Sequence, residues 1–396
     1  MKLFFIIFAA IDSAQSHVVH LYSELAELAK HNEIYILCLC DKTSSDVSYQ
    51  NVSIDFYPIT FEGWNIKNLQ TVSDVILGKI KTTNPDLVVL TLEIWDLMRE
   101  LGQKLAGKYP FATIANAMPF LAAPITVSNN FEKDIPTLIE SDIPLYRKNY
   151  IKEHYKEVDT VLSYTNIIAA TQTVKYYLNS YFPKMIVWAH SPILPAKISS
   201  TQKNVHKDID FVYMARIEKG KGLEYFEDIL EKIYHKLKRP VSLTIMGSID
   251  DDFSKTALDN LIKKANQTKH FSVCFLGWAD AKLKHDIFSR SRVFLYPSHY
   301  DTYAIVLVEA LSYGLPAVVW DAPFTKNTFS TTTAVKQAKL LDTNEFANLA
   351  ITCLDNEHVL RTRALNFISK FPTMNQKILH DINIFQEIIR RFHDKN

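Results

Sequence analysis

The chain has 396 residues, of which 47% are hydrophobic and 22% charged, and its formal net charge is +1 at pH 7. This length predicts two domains, and the near-neutral charge argues against nucleic acid as a partner. No apolar run reaches the roughly 18 residues that a membrane-spanning helix needs. The four cysteines have no metal-site spacing, which favours reduced core residues in a cytoplasmic protein.

The first half of the chain alternates short apolar runs with amphipathic segments, which predicts a parallel doubly wound sheet. Residues 1–10, with one basic residue, an apolar run and then small residues, also resemble a short signal peptide, but the β-α-β pattern that follows favours a first buried strand. The predicted strands are residues 3–8, 34–39, 53–57, 87–90, 111–115, 160–163 and 185–188. The predicted helices are residues 16–30, 69–82, 95–108, 143–156 and 167–177.

A polar segment with two prolines, residues 189–204, is the predicted linker. A second alternation follows it. Its predicted strands are residues 210–214, 241–246, 272–276, 293–296 and 317–320, and its predicted helices are residues 223–237, 259–264, 281–289, 302–313, 344–354, 359–369 and 378–392. We therefore divide the chain into an N-terminal α/β domain (1–195), a C-terminal α/β domain (196–375) and a C-terminal helix (376–396).

An acidic residue interrupts the most apolar predicted helix of the second half. Glu309 lies within Ile305-Val-Leu-Val-Glu-Ala-Leu311, and Asp301 precedes this segment. A buried ionised carboxylate is costly unless it has a partner, which is either a structural Arg or Lys or a bound ligand. Because a helix N-terminus attracts anions, a nucleotide diphosphate sugar fits this layout, with hydroxyl groups on both sides of an anionic centre.

A basic loop follows the first predicted strand of the second half. The sequence Met214-Ala-Arg-Ile-Glu-Lys-Gly-Lys-Gly222 contains Arg216 and Lys221. A diphosphate leaving group needs cations where its negative charge develops, and Arg and Lys supply them as a bidentate fork and a mobile point charge. Lys219 is an alternative to Lys221, and a solvated basic turn is the alternative for the whole loop.

These segments resemble the retaining GT-B glycosyltransferases of family 4, the glycosyl transferases group 1. The segment 301–316 is similar to the family's E-x7-E region, and the loop 215–222 is similar to its Gly-Arg-Leu-x-x-x-Lys-Gly segment. The chain departs from the family at Asp301, which replaces a Glu, and at Thr302 and Ala304, which replace glycines. The resemblance implies the GT-B fold, in which two Rossmann-like doubly wound domains face each other across a cleft and the C-terminal helix returns to the N-terminal domain.

The resemblance also implies a function. It implies transfer of a sugar, with retention at the anomeric carbon, from a nucleotide diphosphate sugar to an unknown glycan or lipid-linked acceptor, without a metal or another cofactor. The expected catalytic residues are Arg216 and Lys221 at the diphosphate and Asp301 at the donor sugar. The expected donor-binding residues are Glu309 at the ribose, Thr302, Tyr303 and Ala304 at the sugar, Gly277 and Trp278 at the nucleobase, and Ser13 and Ala14 near the diphosphate, with Asn116 as a further sugar contact.

Other functions stay open on the sequence. The glycine-free loop 10–17 and the substitution at Asp301 are compatible with a degenerate GT-B protein that binds a nucleotide sugar or a partner enzyme without catalysis. A sugar-nucleotide epimerase of the same fold would differ in its product. The basic aromatic run 146–156 is either a solvated helix face or a peripheral membrane contact.

Overall fold

A computed structural model describes residues 1–8, 16–40, 51–62, 65–92, 94–115, 131–140, 145–190, 206–249 and 251–395. These residues form two α/β domains, each built on a parallel sheet. None of the described helices is both long enough and apolar enough to cross a bilayer.

The sheet of the N-terminal domain contains the strands β1 (Lys2–Ile7), β2 (Glu33–Leu39), β3 (Val52–Tyr57), β6 (Leu87–Leu90), β7 (Phe111–Ala115), β8 (Asn166–Ala169) and β9 (Val187–Ala189). The strand order is β3-β2-β1-β6-β7-β8-β9, and all neighbouring strands are parallel. A separate antiparallel pair is formed by β4 (Phe61–Glu62) and β5 (Asn65–Ile66). The helices are α1 (Ser16–Leu28), α2 (Leu69–Thr83), α3 (Trp95–Leu105), α4 (Phe131–Glu140), α5 (Leu145–His154), α6 (Val158–Ser163) and α7 (Gln172–Tyr181).

The sheet of the C-terminal domain contains the strands β10 (Ile209–Met214), β11 (Val241–Met246), β12 (Phe271–Phe275), β13 (Ser291–Tyr296), β14 (Ala317–Trp320) and β15 (Val335–Ala338). This sheet is also parallel, with the strand order β12-β11-β10-β13-β14-β15. Its helices are α8 (Phe226–Leu237), α9 (Asp252–Thr268), α10 (Ala281–Arg290), α11 (Ile305–Ser312), α12 (Pro323–Phe329), α13 (Thr343–Asp355) and α14 (Glu357–Ile368).

The last helix, α15 (Met374–Lys395), packs on the N-terminal domain. The rings of Phe385 and Phe5 meet edge to face with centroids 6.3 Å apart, and Lys377 Nζ lies 3.2 Å from a carboxylate oxygen of Glu24. Apolar residues of α15 share a core with the strands of the first sheet. The chain therefore returns to its first domain after completing the second.

One pair of predicted elements in the N-terminal domain is wrong. Residues 160–163 were expected to form a strand and 167–177 a helix, but the chain forms α6 first and then β8. Val158, Val161 and Leu162 are buried on one face of α6, because their spacing of three and four residues is that of a helix. The run Asn166–Ala169 is too short and too apolar for a surface helix and forms a strand between β7 and β9.

Candidate functional site

Two loops meet at the carboxyl edge of the C-terminal sheet. Because β10 and β13 are neighbours in the sheet, the loop 215–222 after β10 lies beside the segment 297–304 after β13. The backbone N–H of His299 donates to the carbonyl oxygen of Gly220 at 2.8 Å. Gly222 has φ +86°, and a Cβ at this position would lie 1.9 Å from the carbonyl oxygen of Pro297. A glycine is therefore required for the two loops to approach this closely.

Lys221 bridges the two loops. Its Nζ donates to the carbonyl oxygen of Tyr300 at 3.0 Å and to Oδ2 of Asp301 at 3.3 Å, and it lies 4.4 Å from the ring centroid of Tyr300. The lysine is buried, so its charge is held by these partners and not by water. The structure thus brings together two of the three predicted catalytic residues.

Asp301 is held in its ionised form. Burial raises the pKa of this carboxyl, but the charge of Lys221, the hydroxyl of Tyr296 and the N–H groups of Ala304 and Tyr303 outweigh burial and lower the pKa to about 2. The Tyr296 hydroxyl donates to Oδ2 at 2.7 Å, while the N–H groups of Tyr303 and Ala304 donate to Oδ1 at 3.0 and 2.8 Å. Asp301 therefore orders the turn that precedes α11.

Helix α11 begins later than the sequence pattern predicted. The expected helix started at Thr302, whereas the observed one starts at Ile305. Ala304 precedes it with φ +54°, a left-handed conformation that a residue with a Cβ rarely adopts. Asp301 and Glu309 consequently do not lie on one continuous helix.

Arg216 is the exposed cation of the basic loop. Its side chain is 53% exposed, and its guanidinium donates to Oε1 of Glu218 at 2.9 Å. Glu218 is buried and also accepts a hydrogen bond of 2.7 Å from the hydroxyl of Tyr300. Glu218 thereby connects the predicted diphosphate-binding arginine to the residue that precedes Asp301.

Glu309 has the partner that the sequence left as an alternative. Lys284 Nζ, from α10, lies 2.7 Å from Oε1 of Glu309, and the side chain of Glu309 is 7% exposed. The ion pair neutralises a carboxylate that would otherwise be costly in an apolar helix. A role of Glu309 at the ribose stays a prediction.

The segment around Asp301 also contacts the N-terminal domain. The Oγ1 of Thr171, which caps α7, donates to the carbonyl oxygen of Thr302 at 3.0 Å, and Tyr300 packs into the core of the first domain. A cavity of about 230 Å³ lies beside this contact, and its lining includes Thr171, Tyr303, Asn327 and Lys370. This volume is below the roughly 300–1,000 Å³ of a typical ligand pocket, so we do not assign the donor to it.

The remaining predicted residues fall into two groups. Gly277 has φ +66° and accepts a 2.7 Å hydrogen bond from the N–H of Gly247, and the neighbouring Trp278 is 61% exposed at the carboxyl edge of the same sheet. Ser13, Ala14 and Asn116 lie outside the described residues.

The basic run 146–156 forms α5 and the turn after it, in which Ile151 and His154 are buried. A membrane contact there stays a prediction.

Sequence reasoning missed several residues of this site. Glu218, Tyr300, Lys284 and Thr171 each contact a predicted residue, but none was selected from the sequence. Glu218 and Tyr300 lie inside the motif segments, so their position next to the selected residues could have identified them. Lys284 and Thr171 come from α10 and from the other domain, and no local pattern marks them.

The two α/β domains have the architecture of the GT-B fold, and the expected resemblance is confirmed. Residues 196–364 match the family model described as glycosyl transferases group 1. Among curated proteins, a glycogen synthase from Syntrophotalea carbinolica is 34% identical over 106 residues, which cover 27% of this chain and 20% of that protein. The chain spans less than a third of the length of the curated relatives that it matches.

The solved structures that resemble the chain extend over both domains. A sucrose-phosphate synthase from Thermosynechococcus elongatus has a TM-score of 0.72 at 13% identity and covers 98% of this chain and 99% of its own. An E. coli structure described as trehalose-6-phosphate bound with UDP-2-fluoro glucose has a TM-score of 0.69 at 12% identity and covers 97% and 99%. At these identities the likeness shows the fold, which confirms two Rossmann-like domains.

Proposed function

We propose that this protein is a retaining glycosyltransferase that moves a sugar from a nucleotide diphosphate sugar to a glycan or lipid-linked acceptor without a metal. The observation that carries the proposal is the contact between the buried Lys221 and Asp301, 3.3 Å from Nζ to Oδ2, at the carboxyl edge of the matched domain. Ligands of open parallel sheets bind beyond the carboxyl ends of the strands. The family match over residues 196–364 and the UDP-2-fluoro glucose of the E. coli structure support a nucleotide-sugar donor.

Each loop has a distinct task in this proposal. Arg216 and Lys221 face the diphosphate, where their charges stabilise the negative charge that develops on the leaving group. Asp301 and the backbone of residues 302–304 bind hydroxyl groups of the donor sugar. The backbone near Gly277 and the ring of Trp278 contact the nucleobase, while Ser13, Ala14 and Asn116 complete the donor site from the first domain.

Glu309 is assigned to the ribose through its second oxygen. Lys284 occupies Oε1, so Oε2 accepts hydrogen bonds from the ribose hydroxyls. The ion pair also fixes the orientation of the carboxylate, which lowers the entropy that is lost when the donor binds.

The reaction needs no dedicated base from the protein. The bond between the anomeric carbon and the phosphate oxygen breaks, and its electron pair stays on the nucleoside diphosphate. The acceptor hydroxyl attacks from the same face, and its proton passes to the departing phosphate oxygen. The cations at Arg216 and Lys221 accelerate this step only if they bind the leaving diphosphate more strongly than the intact donor.

A second candidate function is nucleotide-sugar binding without turnover. The observation that favours it is that Lys221 and Glu309 each already have an ion-pair partner of opposite charge, Asp301 and Lys284. A donor has to compete with Asp301 for Lys221. If it cannot, the site binds ligand without reorganising for catalysis.

The two functions are separated by a donor panel. UDP-, ADP- and GDP-sugars are first screened by the rise in melting temperature that each produces, because a ligand of the folded state stabilises it. The donor that binds is then incubated with and without oligosaccharide acceptors while nucleoside diphosphate release is measured. Release supports the transferase, whereas stabilisation without release supports the binding protein. The anomeric configuration of the product, read by NMR, tests retention and also separates transfer from epimerisation.

A further inference from the structure

A cluster of two histidines and one glutamate lies on the opposite side of the C-terminal domain. Glu231 and His235 are one helical turn apart on α8, and His270 immediately precedes β12. The potential ligand atoms of all three side chains lie within 4.8 Å of one another. Because α8 ends and β12 begins at the amino edge of the sheet, this cluster is remote from the loops at the carboxyl edge.

The distances within the cluster are close to those of a metal site. The Nδ1 of His270 lies 2.7 Å and the Nε2 of His235 lies 3.6 Å from Oε2 of Glu231. Ligand atoms about 2.0–2.2 Å from a tetrahedral zinc ion are separated by about 3.3 Å. The observed separations lie on both sides of this value, so small side-chain rotations would place the three atoms around one ion.

The ring of His270 is held in place. It stacks on Tyr234 with ring centroids 3.8 Å apart and an interplanar angle of 10°, and its backbone N–H donates to Oγ1 of Thr268 at 3.3 Å. His235 is 63% exposed, so its ring is free to rotate and leaves one side of the cluster open to water. A rigid pair with one mobile ligand and one open position suits a bound ion that retains a water molecule.

The carboxylate of Glu231 is incompletely satisfied. Its Oε1 is buried and makes no hydrogen bond within the described part of the chain. The nearest cation is Lys264, whose Nζ is 3.9 Å from this oxygen and 3.7 Å from Glu227. When a divalent ion binds Glu231, Lys264 can remain paired with Glu227 and so keeps a partner of opposite charge.

We propose that Glu231, His235 and His270 form a zinc site, in which the ion links α8 to the start of β12. Two imidazoles and one carboxylate select zinc and its late transition-metal neighbours over magnesium and calcium, which prefer all-oxygen ligands. The site lies away from the loops at the carboxyl edge of the sheet, so it is separate from the proposed metal-independent transfer reaction. It was not visible in the sequence, because His270 is distant along the chain from the pair on α8.

The test is zinc titration of the tag-free, chelator-treated protein by calorimetry, in a Cys274→Ser background that removes the exposed thiol. One zinc ion is expected to bind per chain and to raise the melting temperature, whereas magnesium has no effect. His270→Ala and Glu231→Gln are each expected to weaken zinc binding at least tenfold. His235→Ala, at an exposed position, gives the same loss without affecting the fold.

The matched control is His358→Ala, which removes an exposed histidine elsewhere in the same domain. It is expected to bind zinc as the parent protein does. The proposal is overturned if the parent binds no zinc at 100-fold molar excess, or if zinc affinity is the same in the parent and in His235→Ala.

Discussion

Lys221 and Asp301 form an ion pair, with 3.3 Å between Nζ and Oδ2, that joins the loops after two neighbouring strands of the C-terminal sheet. The lysine is fixed before any ligand arrives, because Tyr300 contributes both a carbonyl oxygen and a ring to the same ammonium group. A bound diphosphate would share this cation with Asp301. The pair therefore combines a structural role with the proposed catalytic one, and substitutions can separate the two.

The first prediction concerns stability and pH. Asp301→Asn is expected to lower the free energy of unfolding by about 2 kcal/mol at pH 7, because the pKa of this carboxyl falls from 3.8 to about 2 in the fold. A lowered pKa stabilises the fold above the unfolded value and loses this effect as pH falls toward the folded one. The gap between parent and variant should therefore shrink from pH 5 to pH 3, as measured by urea denaturation.

The control for that experiment is Asp259→Asn, on the exposed face of α9. Its stability should follow the parent at every pH. A gap for Asp301→Asn that stays constant between pH 5 and pH 3 would contradict the assigned charge interaction.

The second prediction identifies Glu218 as a positioning residue. Glu218→Gln keeps the shape of the side chain but removes the charge that orients Arg216. We expect kcat for sugar transfer to fall about tenfold with little change in KM, since hydrogen bonds to charged groups contribute about 1.5–3 kcal/mol. Glu227→Gln, which removes a charge paired with Lys264 and not with Arg216, should leave both constants unchanged. A change in KM alone would show that Glu218 does not act through the transition state.

The third prediction concerns the left-handed backbone at Ala304, with φ +54°. Ala304→Gly is expected to stabilise the fold by about 0.5 kcal/mol, because glycine adopts this conformation without the steric cost of a Cβ, although it loses more backbone entropy on folding. Ala310→Gly within α11 is the matched control and should destabilise by at least about 1 kcal/mol. Destabilisation by both substitutions would contradict the strain at Ala304.

The fourth prediction separates two roles of Glu309. Breaking its ion pair by Lys284→Met should cost about 1–3 kcal/mol of stability, and the double variant with Glu309→Gln should cost less than the sum of the single variants. If Oε2 binds the ribose, Glu309→Gln weakens nucleoside diphosphate binding about tenfold, and Lys284→Met weakens it less, because the carboxylate remains but its orientation is no longer fixed. If both variants bind the nucleotide as tightly as the parent protein does, the ion pair has a structural role alone.

Most of the fold was predictable because it rests on local patterns. The buried runs that became β6, β7, β11 and β14 were assigned with their observed bounds, since short apolar segments between turn residues are typical of parallel strands. The prediction for residues 158–169 reversed the order of helix and strand, because Val and Ile occur both in strands and on the buried face of a short helix. The left-handed backbone at Ala304 makes α11 begin at Ile305 and not at Thr302, and the hydrophobic periodicity of the segment does not indicate this later start.

The site was predictable only where its residues follow one another in the sequence. The basic loop and the segment around Asp301 were found as motifs, and the sheet then placed them side by side. The partners of Glu309 and Thr302, which are Lys284 and Thr171, come from distant parts of the chain. Contacts of this kind depend on the packing of whole elements, so a single sequence contains no local signal for them.

The most direct test of the account is the rate of nucleoside diphosphate release by the variant that carries both Arg216→Ala and Lys221→Ala, compared with the parent and with Lys219→Ala. If the two cations stabilise the leaving diphosphate, the double variant loses at least about 100-fold in rate. Lys219→Ala, in the same loop, keeps the parent rate. A double variant that releases nucleoside diphosphate as fast as the parent would contradict the proposed site.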